Sequence, residues 1–251
     1  MIWLFASQAY AEIECFSENQ CYQLILPSEE TKHMFVFLHG LGDSAENFSR
    51  ASIVQTVLGS MRQGDTPPSV MLIPEGDRGY WINWTDGTHL YEDWMLDTVQ
   101  RIAKDYDIET ISLVGVSMGG FGALSIGLRN PVLFDKIVAY SPTDMEIAIT
   151  LRPNYQLYTS IFGDVVYKEY AFSLNPRELV LRGSGHDQEI FWIVGDAEPE
   201  KFLQGSVRLK AASEAQGLET KIRIVPNGEH SFDNTWNEES TNWWLREIEW
   251  E

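Results

Sequence analysis

Thr110-Ile-Ser-Leu-Val-Gly-Val-Ser-Met-Gly-Gly-Phe-Gly-Ala-Leu-Ser-Ile-Gly-Leu-Arg129 contains two kinds of structure with no linker between them. Thr110 to Val114 is a short apolar, β-branched run, as a buried strand requires. Residues 118–129 suit a helix, closed by Asn130-Pro131. Between them stands Gly115-Val116-Ser117-Met118-Gly119-Gly120, a G-x-S-x-G pattern. Where a strand turns abruptly into a helix, side chains two residues either side of the corner would clash, which explains the glycines. The serine then sits at a helix N-terminus, where backbone N–H groups stabilise negative charge. Chance alone gives this pattern in roughly one chain in ten, so its strand-to-helix context carries the argument.

The flanking sequence repeats the alternation. Strand-like runs occur at 33–38, 69–73, 110–114, 136–140, 189–194 and 220–225, with helical patterns near 47–60, 91–106, 118–129, 175–182 and 199–216. Gly217 is placed to cap the last of these, and a final helix is expected to carry Trp236, Trp244, Leu245 and Ile248. Such alternation predicts an α/β fold with a mostly parallel sheet covered by helices. No repeat or low-complexity linker interrupts it, so residues 1–251 are read as one domain. Residues 143–189 are less regular and are read as an insertion over the sheet.

A serine hydroxyl at neutral pH needs a base. Of the five histidines, His230 follows the last predicted strand, where the order Ser…Asp…His expects it. His186 is the rival. His33 and His39 read as structural, His39 as the brace of a loop, and His89 as site-lining or solvated. Asp196, directly after the strand ending at Val194, is chosen to orient the imidazole, with Asp144 and Asp187 behind it. Two N–H donors must hold an oxyanion. Met118 follows the nucleophile, and Leu41 lies in the glycine-bearing loop Leu38-His-Gly-Leu-Gly-Asp43. The loop Gly79-Tyr-Trp-Ile-Asn-Trp-Thr-Asp-Gly87 is read either as a substrate wall, through Trp81 and Trp84, or as self-packing at the sheet edge.

The chain has 37 acidic and 18 basic residues, a formal net charge of −19. That surface repels nucleic-acid phosphates, and it disfavours anionic substrates unless the site is locally basic. No apolar run spans a bilayer. Cys15 and Cys21 would face each other across a hairpin, a workable disulfide geometry that would favour export; a metal site at this pair lacks further ligands. Ala9-Tyr-Ala11 fits the end of a secretory leader, but the preceding apolar part is short and no basic residue precedes it. Leader tail and ordinary strand are both open, with a secreted or periplasmic location slightly favoured.

From Met34 to Phe232 the chain resembles the esterase family of α/β hydrolases that includes S-formylglutathione hydrolase, tributyrin-type, feruloyl and acetylxylan esterases, and the mycolyltransferases. The resemblance is carried by Gly115-Val-Ser-Met-Gly-Gly-Phe-Gly-Ala123, Pro131, Phe134, Tyr140-Ser-Pro142, Tyr80-Trp-Ile-Asn-Trp84, Tyr91, Trp94 and Ile161-Phe-Gly-Asp164. It implies an eight-stranded α/β-hydrolase sheet with helices on both faces, no metal and no cofactor, and a Ser117, Asp196, His230 triad acting on small-molecule esters. Gly40-Leu-Gly42 is shorter than the glycine run of several such esterases. Acyl transfer to a sugar or lipid alcohol would use the same triad, and a non-catalytic binding module is the remaining alternative.

Overall fold

A computed structural model describes residues 10–15, 20–152, 155–163 and 167–250. Eight strands form one sheet in the order β1-β2-β4-β3-β5-β6-β7-β8. β1 (Tyr10–Cys15) and β2 (Cys21–Leu26) pair antiparallel, with Cys15 opposite Cys21 in register, and Cys21 is disulfide-bonded. β2 also runs antiparallel to β4. From β3 (His33–Leu38) onward every pairing is parallel, so each return needs a crossover. α1 (Ala45–Phe48) and α2 (Ser52–Gln63) lead to β4 (Ser69–Pro74), and α3 (Tyr91–Asp105) to β5 (Thr110–Val116). α4 (Met118–Arg129) precedes β6 (Lys136–Tyr140), and α5 (Met145–Leu151), α6 (Gln156–Phe162), α7 (Lys168–Ser173) and α8 (Pro176–Leu181) precede β7 (Glu189–Gly195). α9 (Glu200–Gln216), β8 (Thr220–Val225) and α10 (Glu238–Glu247) complete the order.

The two-residue period of β3 explains the layers. Met34, Val36 and Leu38 join a core with Met95, Val99 and Ile102 of α3, Phe121 and Leu124 of α4, and Leu209 of α9. Phe35 and Phe37, between them in sequence, face the other way onto Ile53, Val54 and Val57 of α2 and Trp244 and Leu245 of α10. Helices therefore cover both faces, and the strands between them are buried on both sides. The parallel strands deliver the loops after β3, β5, β7 and β8 to one edge, where α/β sheets place their ligand sites.

Several sequence expectations are refined. The pattern near 47–60 is two helices, because Ala51 adopts extended backbone (ψ 150°) between them. Gly217 caps α9 in the left-handed conformation, as expected. Trp236 lies before the last helix, which Asn237 caps, and Ile248 ends it. Among the described residues the segment 143–189 carries four short helices rather than one. The leader reading of residues 1–11 falls mostly outside the described residues, of which Tyr10 and Ala11 belong to β1. Among the described residues no helix is long and apolar enough to cross a membrane.

A Cβ on Gly119 would stand 2.0 Å from the Leu38 carbonyl oxygen, which is backbone and has nowhere to go. Gly119→Ala should therefore lower stability by about 1–3 kcal/mol or more, through displacement of α4 from β3. The midpoint of urea unfolding measures it.

Candidate active site

Ser117 is the residue between β5 and α4, at φ 55° and ψ −110°. A non-glycine residue at positive φ is held only where its surroundings fix it. Here the Ser117 N–H donates to the Tyr140 carbonyl (2.8 Å), and its own carbonyl accepts from Phe121 N–H (3.0 Å). Gly115 is needed because a Cβ there would meet the Gly119 carbonyl oxygen at 2.1 Å. Met118 opens α4, so its N–H belongs to the first turn, where no intrahelical acceptor exists.

His230 arrives from the loop after β8. Its Nε2 stands 2.9 Å from Ser117 Oγ, and its Nδ1 stands 2.7 Å from Glu198 Oε2. A carboxylate only accepts, so Nδ1 carries the proton and Nε2 presents its lone pair to the serine hydroxyl. The acid facing His230 is thus Glu198 and not Asp196. After Gly195 the chain makes a turn in which Glu198 N–H returns to the Gly195 carbonyl (3.4 Å). Asp196 is left exposed on that turn, accepting from Asn227 N–H at 2.6 Å. Glu198, two residues on, is swung back under the imidazole with its side chain fully buried. The sequence offered one signal for this, a second acid just before Pro199 at the head of a helix.

Three further side chains hold the carboxylate and ring. Glu198 Oε1 accepts from Gly195 N–H (2.9 Å) and from the Ser141 hydroxyl, which in turn accepts from the Trp236 indole N–H (2.7 Å). Ser141 is itself at φ 47° and fully buried. Phe202 stacks on the His230 ring (centroids 4.0 Å apart, 18° between planes), and Trp236 meets it edge-on at 4.5 Å. The acid and base loops also touch directly. A Cβ on Gly195 would lie 2.1 Å from the Gly228 carbonyl oxygen, and Ala197 N–H donates to that same oxygen at 3.0 Å.

The loop after β3 approaches from the other side. An added Cβ on Gly40 would be 3.6 Å from Ser117 Cβ, so the Gly40–Leu41 backbone passes beside the nucleophile. The Leu41 side chain is partly exposed. His39, fully buried, fixes this loop. Its Nδ1 donates to the Gly40 carbonyl (2.9 Å), and its Nε2 lies 3.0 Å from Glu75 Oε1 and 2.9 Å from Gly76 N–H. Glu75 also accepts from the N–H groups of Ala45 (3.0 Å) and Asp77 (2.9 Å). Burial pushes the Glu75 carboxyl up, but the hydrogen bonds from His39, Ala45 and Asp77 outweigh it and hold its pKa at about 2.

The remaining sequence candidates lie elsewhere. Trp81 is fully buried and forms no substrate wall. Tyr80 and Trp81 are both left-handed (φ 54° and 60°), which rolls the indole inward onto Gly122 and Gly76, where its N–H donates to the His39 carbonyl (3.2 Å). Trp84 is half-buried, its ring 4.1 Å from that of His89. Asp144 caps α5 and pairs with Arg208, while His186 and Asp187 are exposed in a turn. His33 packs edge-on against Trp250. Among the described residues no group of His, Cys, Asp or Glu could hold a metal ion.

With this geometry in place, the comparisons decide the family. Residues 18–246 match the family model described as "Putative esterase". The chain belongs to that family. Membership gives the enzyme class, a serine carboxylic ester hydrolase. The structure resembles FphF, a fluorophosphonate-binding serine hydrolase of Staphylococcus aureus (TM-score 0.75, 16% identity, 95% of this chain and 98% of that one). It also resembles S-formylglutathione hydrolase from the same organism (0.73, 17%, 95% and 100%). A third likeness is to Est1E from Butyrivibrio proteoclasticus (0.66, 16%, 96% and 97%). At these identities the likeness establishes the α/β-hydrolase fold. No curated protein matches in sequence.

Two outcomes follow from the geometry. Glu198→Gln should slow turnover of an activated ester about 10⁴-fold while Asp196→Asn stays near wild type, because only Glu198 fixes the imidazole tautomer; steady-state kinetics on both variants decides it. The Glu75 carboxyl, depressed from 4.5 to about 2, contributes stability that is full above pH 4.5 and is lost as pH falls through 2. Thermal melts should therefore show a gap between wild type and Glu75→Gln near neutrality that closes at about pH 2.

Proposed function

We propose that the protein hydrolyses carboxylic esters of small molecules through an acyl-enzyme on Ser117. The observation that carries this is the continuous hydrogen-bonded line from Ser117 Oγ, at the head of α4, through His230 to Glu198. Ser117 attacks the ester carbonyl as His230 Nε2 takes its proton, and Glu198 stabilises the resulting imidazolium. The N–H groups of Met118 and Leu41 are the donors for the oxyanion. His230 then gives the proton to the departing alcohol. Water, deprotonated by the same imidazole, attacks the acyl-enzyme and releases the acid. No step calls for a metal or cofactor.

The supporting geometry is that of the ground state already poised: a hydroxyl within reach of a base in the correct tautomer, with the acid dry and fully bonded. The structural neighbour from Staphylococcus aureus is named for binding fluorophosphonates, reagents that capture an activated serine, and the same reagent suits this chain.

With p-nitrophenyl acetate the enzyme should release p-nitrophenol in a burst equal to the enzyme concentration wherever deacylation is slower. Ser117→Ala should lose at least about a thousand-fold in kcat and all labelling by a fluorophosphonate probe. A folded Ser117→Ala protein that keeps its activity would overturn the scheme.

A further inference from the structure

The loop that carries His230 ends at Trp236, one residue before the Asn237 cap of α10. The backbone there is held from two directions. Trp236 N–H donates to the Ser231 carbonyl (3.0 Å), and the Trp236 carbonyl accepts from the Ser52 hydroxyl of α2 (2.7 Å). Phe232 meets the indole edge-on at 5.1 Å. The buried indole touches the catalytic line twice. It lies against the His230 ring, and its N–H donates to the Ser141 hydroxyl, which bonds Glu198.

An indole N–H can only donate, and a hydroxyl has a single proton. With Trp236 donating into Ser141 Oγ, the Ser141 proton is left for Glu198 Oε1. Oε1 then takes two donors, Ser141 O–H and Gly195 N–H, and Oε2 faces His230 Nδ1. Hydrogens therefore run inward from both ends, Trp236 and Ser117, and converge on one carboxylate. Bonds in such a chain polarise one another. Ser141 is held at φ 47°, with its N–H on the Ile193 carbonyl (2.7 Å), a conformation that persists only where its surroundings fix it. A glutamate also has one more torsion to order than an aspartate, so a carboxylate on that longer stem needs more than one hold. Trp244 supplies the contrast. It too is fully buried, but its indole N–H ends on the Tyr140 hydroxyl (2.6 Å), whose other partner is Thr241.

We infer that Trp236 is a positioning residue for the reaction: its indole N–H, acting through the Ser141 hydroxyl, locks the Glu198 carboxylate so that His230 keeps its proton on Nδ1. The reach of the catalytic line is thus five residues, and its far end lies at the entry to α10. The inference rests on the ester-hydrolysis reading of the same site, and it adds what orders the acid.

Trp236→Phe keeps a ring beside His230 and removes only the donor. With p-nitrophenyl acetate its kcat should fall about ten-fold at unchanged KM. Ser141→Gly deletes the hydroxyl at a positive φ that glycine adopts freely, and kcat should fall about a hundred-fold. The double variant should be no slower than Ser141→Gly alone, because the indole acts through the hydroxyl. Nitrogen NMR of histidine-labelled protein at alkaline pH should show His230 protonated at Nδ1 alone in the wild type and as a mixture of tautomers in all three variants. Trp244→Phe, which loses a buried indole N–H outside the line, should keep the wild-type kcat and the wild-type His230 signals. Wild-type kcat in Trp236→Phe, a fall in kcat with unchanged His230 signals, or losses that multiply in the double variant would each overturn this inference and leave ester hydrolysis standing. A wild-type protein that neither hydrolyses the ester nor labels with a fluorophosphonate overturns both.

Discussion

The backbone of Ser117 stands at φ 55° between a buried strand and a buried helix, and packing leaves it no room to relax. Such a conformation costs roughly 1–3 kcal/mol, offset by the surrounding structure. Here the compensation is identifiable. Tyr140 on the neighbouring strand accepts the Ser117 N–H, and Gly119 lets α4 lie against the end of β3. The corner orients the hydroxyl and the first-turn N–H groups in one stroke. The loop after β3, braced by His39 and Glu75, and the loop after β8, which carries His230, are both built to meet that fixed point.

The corner and its base were legible in the sequence because their constraints are local. A strand, a glycine-flanked serine and a helix within twenty residues admit few structures, and a histidine beyond the last strand has few places to go. The sheet was legible for the same reason, since period and composition mark buried strands. The acid was harder. Asp196 and Glu198 differ by two positions on one turn, and either could reach an imidazole in principle. The backbone return from Glu198 to Gly195 settles which carboxylate is dry. The turn itself is local, but its seat against the loop at Gly228 is tertiary, and no local propensity encodes that contact.

The aromatic loop shows the opposite kind of difficulty. Its composition left two readings open, an exposed wall and self-packing at the sheet edge, because indoles flanked by glycine and polar residues serve as either. Two successive left-handed residues turn Trp81 into the core instead, where it fills the space that Gly76 and Gly122 leave open. The ring then supports the loop after β3 through the His39 carbonyl.

The contact between Gly195 and Gly228 joins the acid loop to the base loop at the level of the backbone. A displacement of either loop is therefore passed to the other, and the carboxylate follows the imidazole. The nucleophile's corner is tied into the same frame, because Tyr140 accepts the Ser117 N–H and its chain neighbour Ser141 donates to Glu198. Both ends of the line from serine to carboxylate are thus referred to one short stretch of backbone, Tyr140-Ser141.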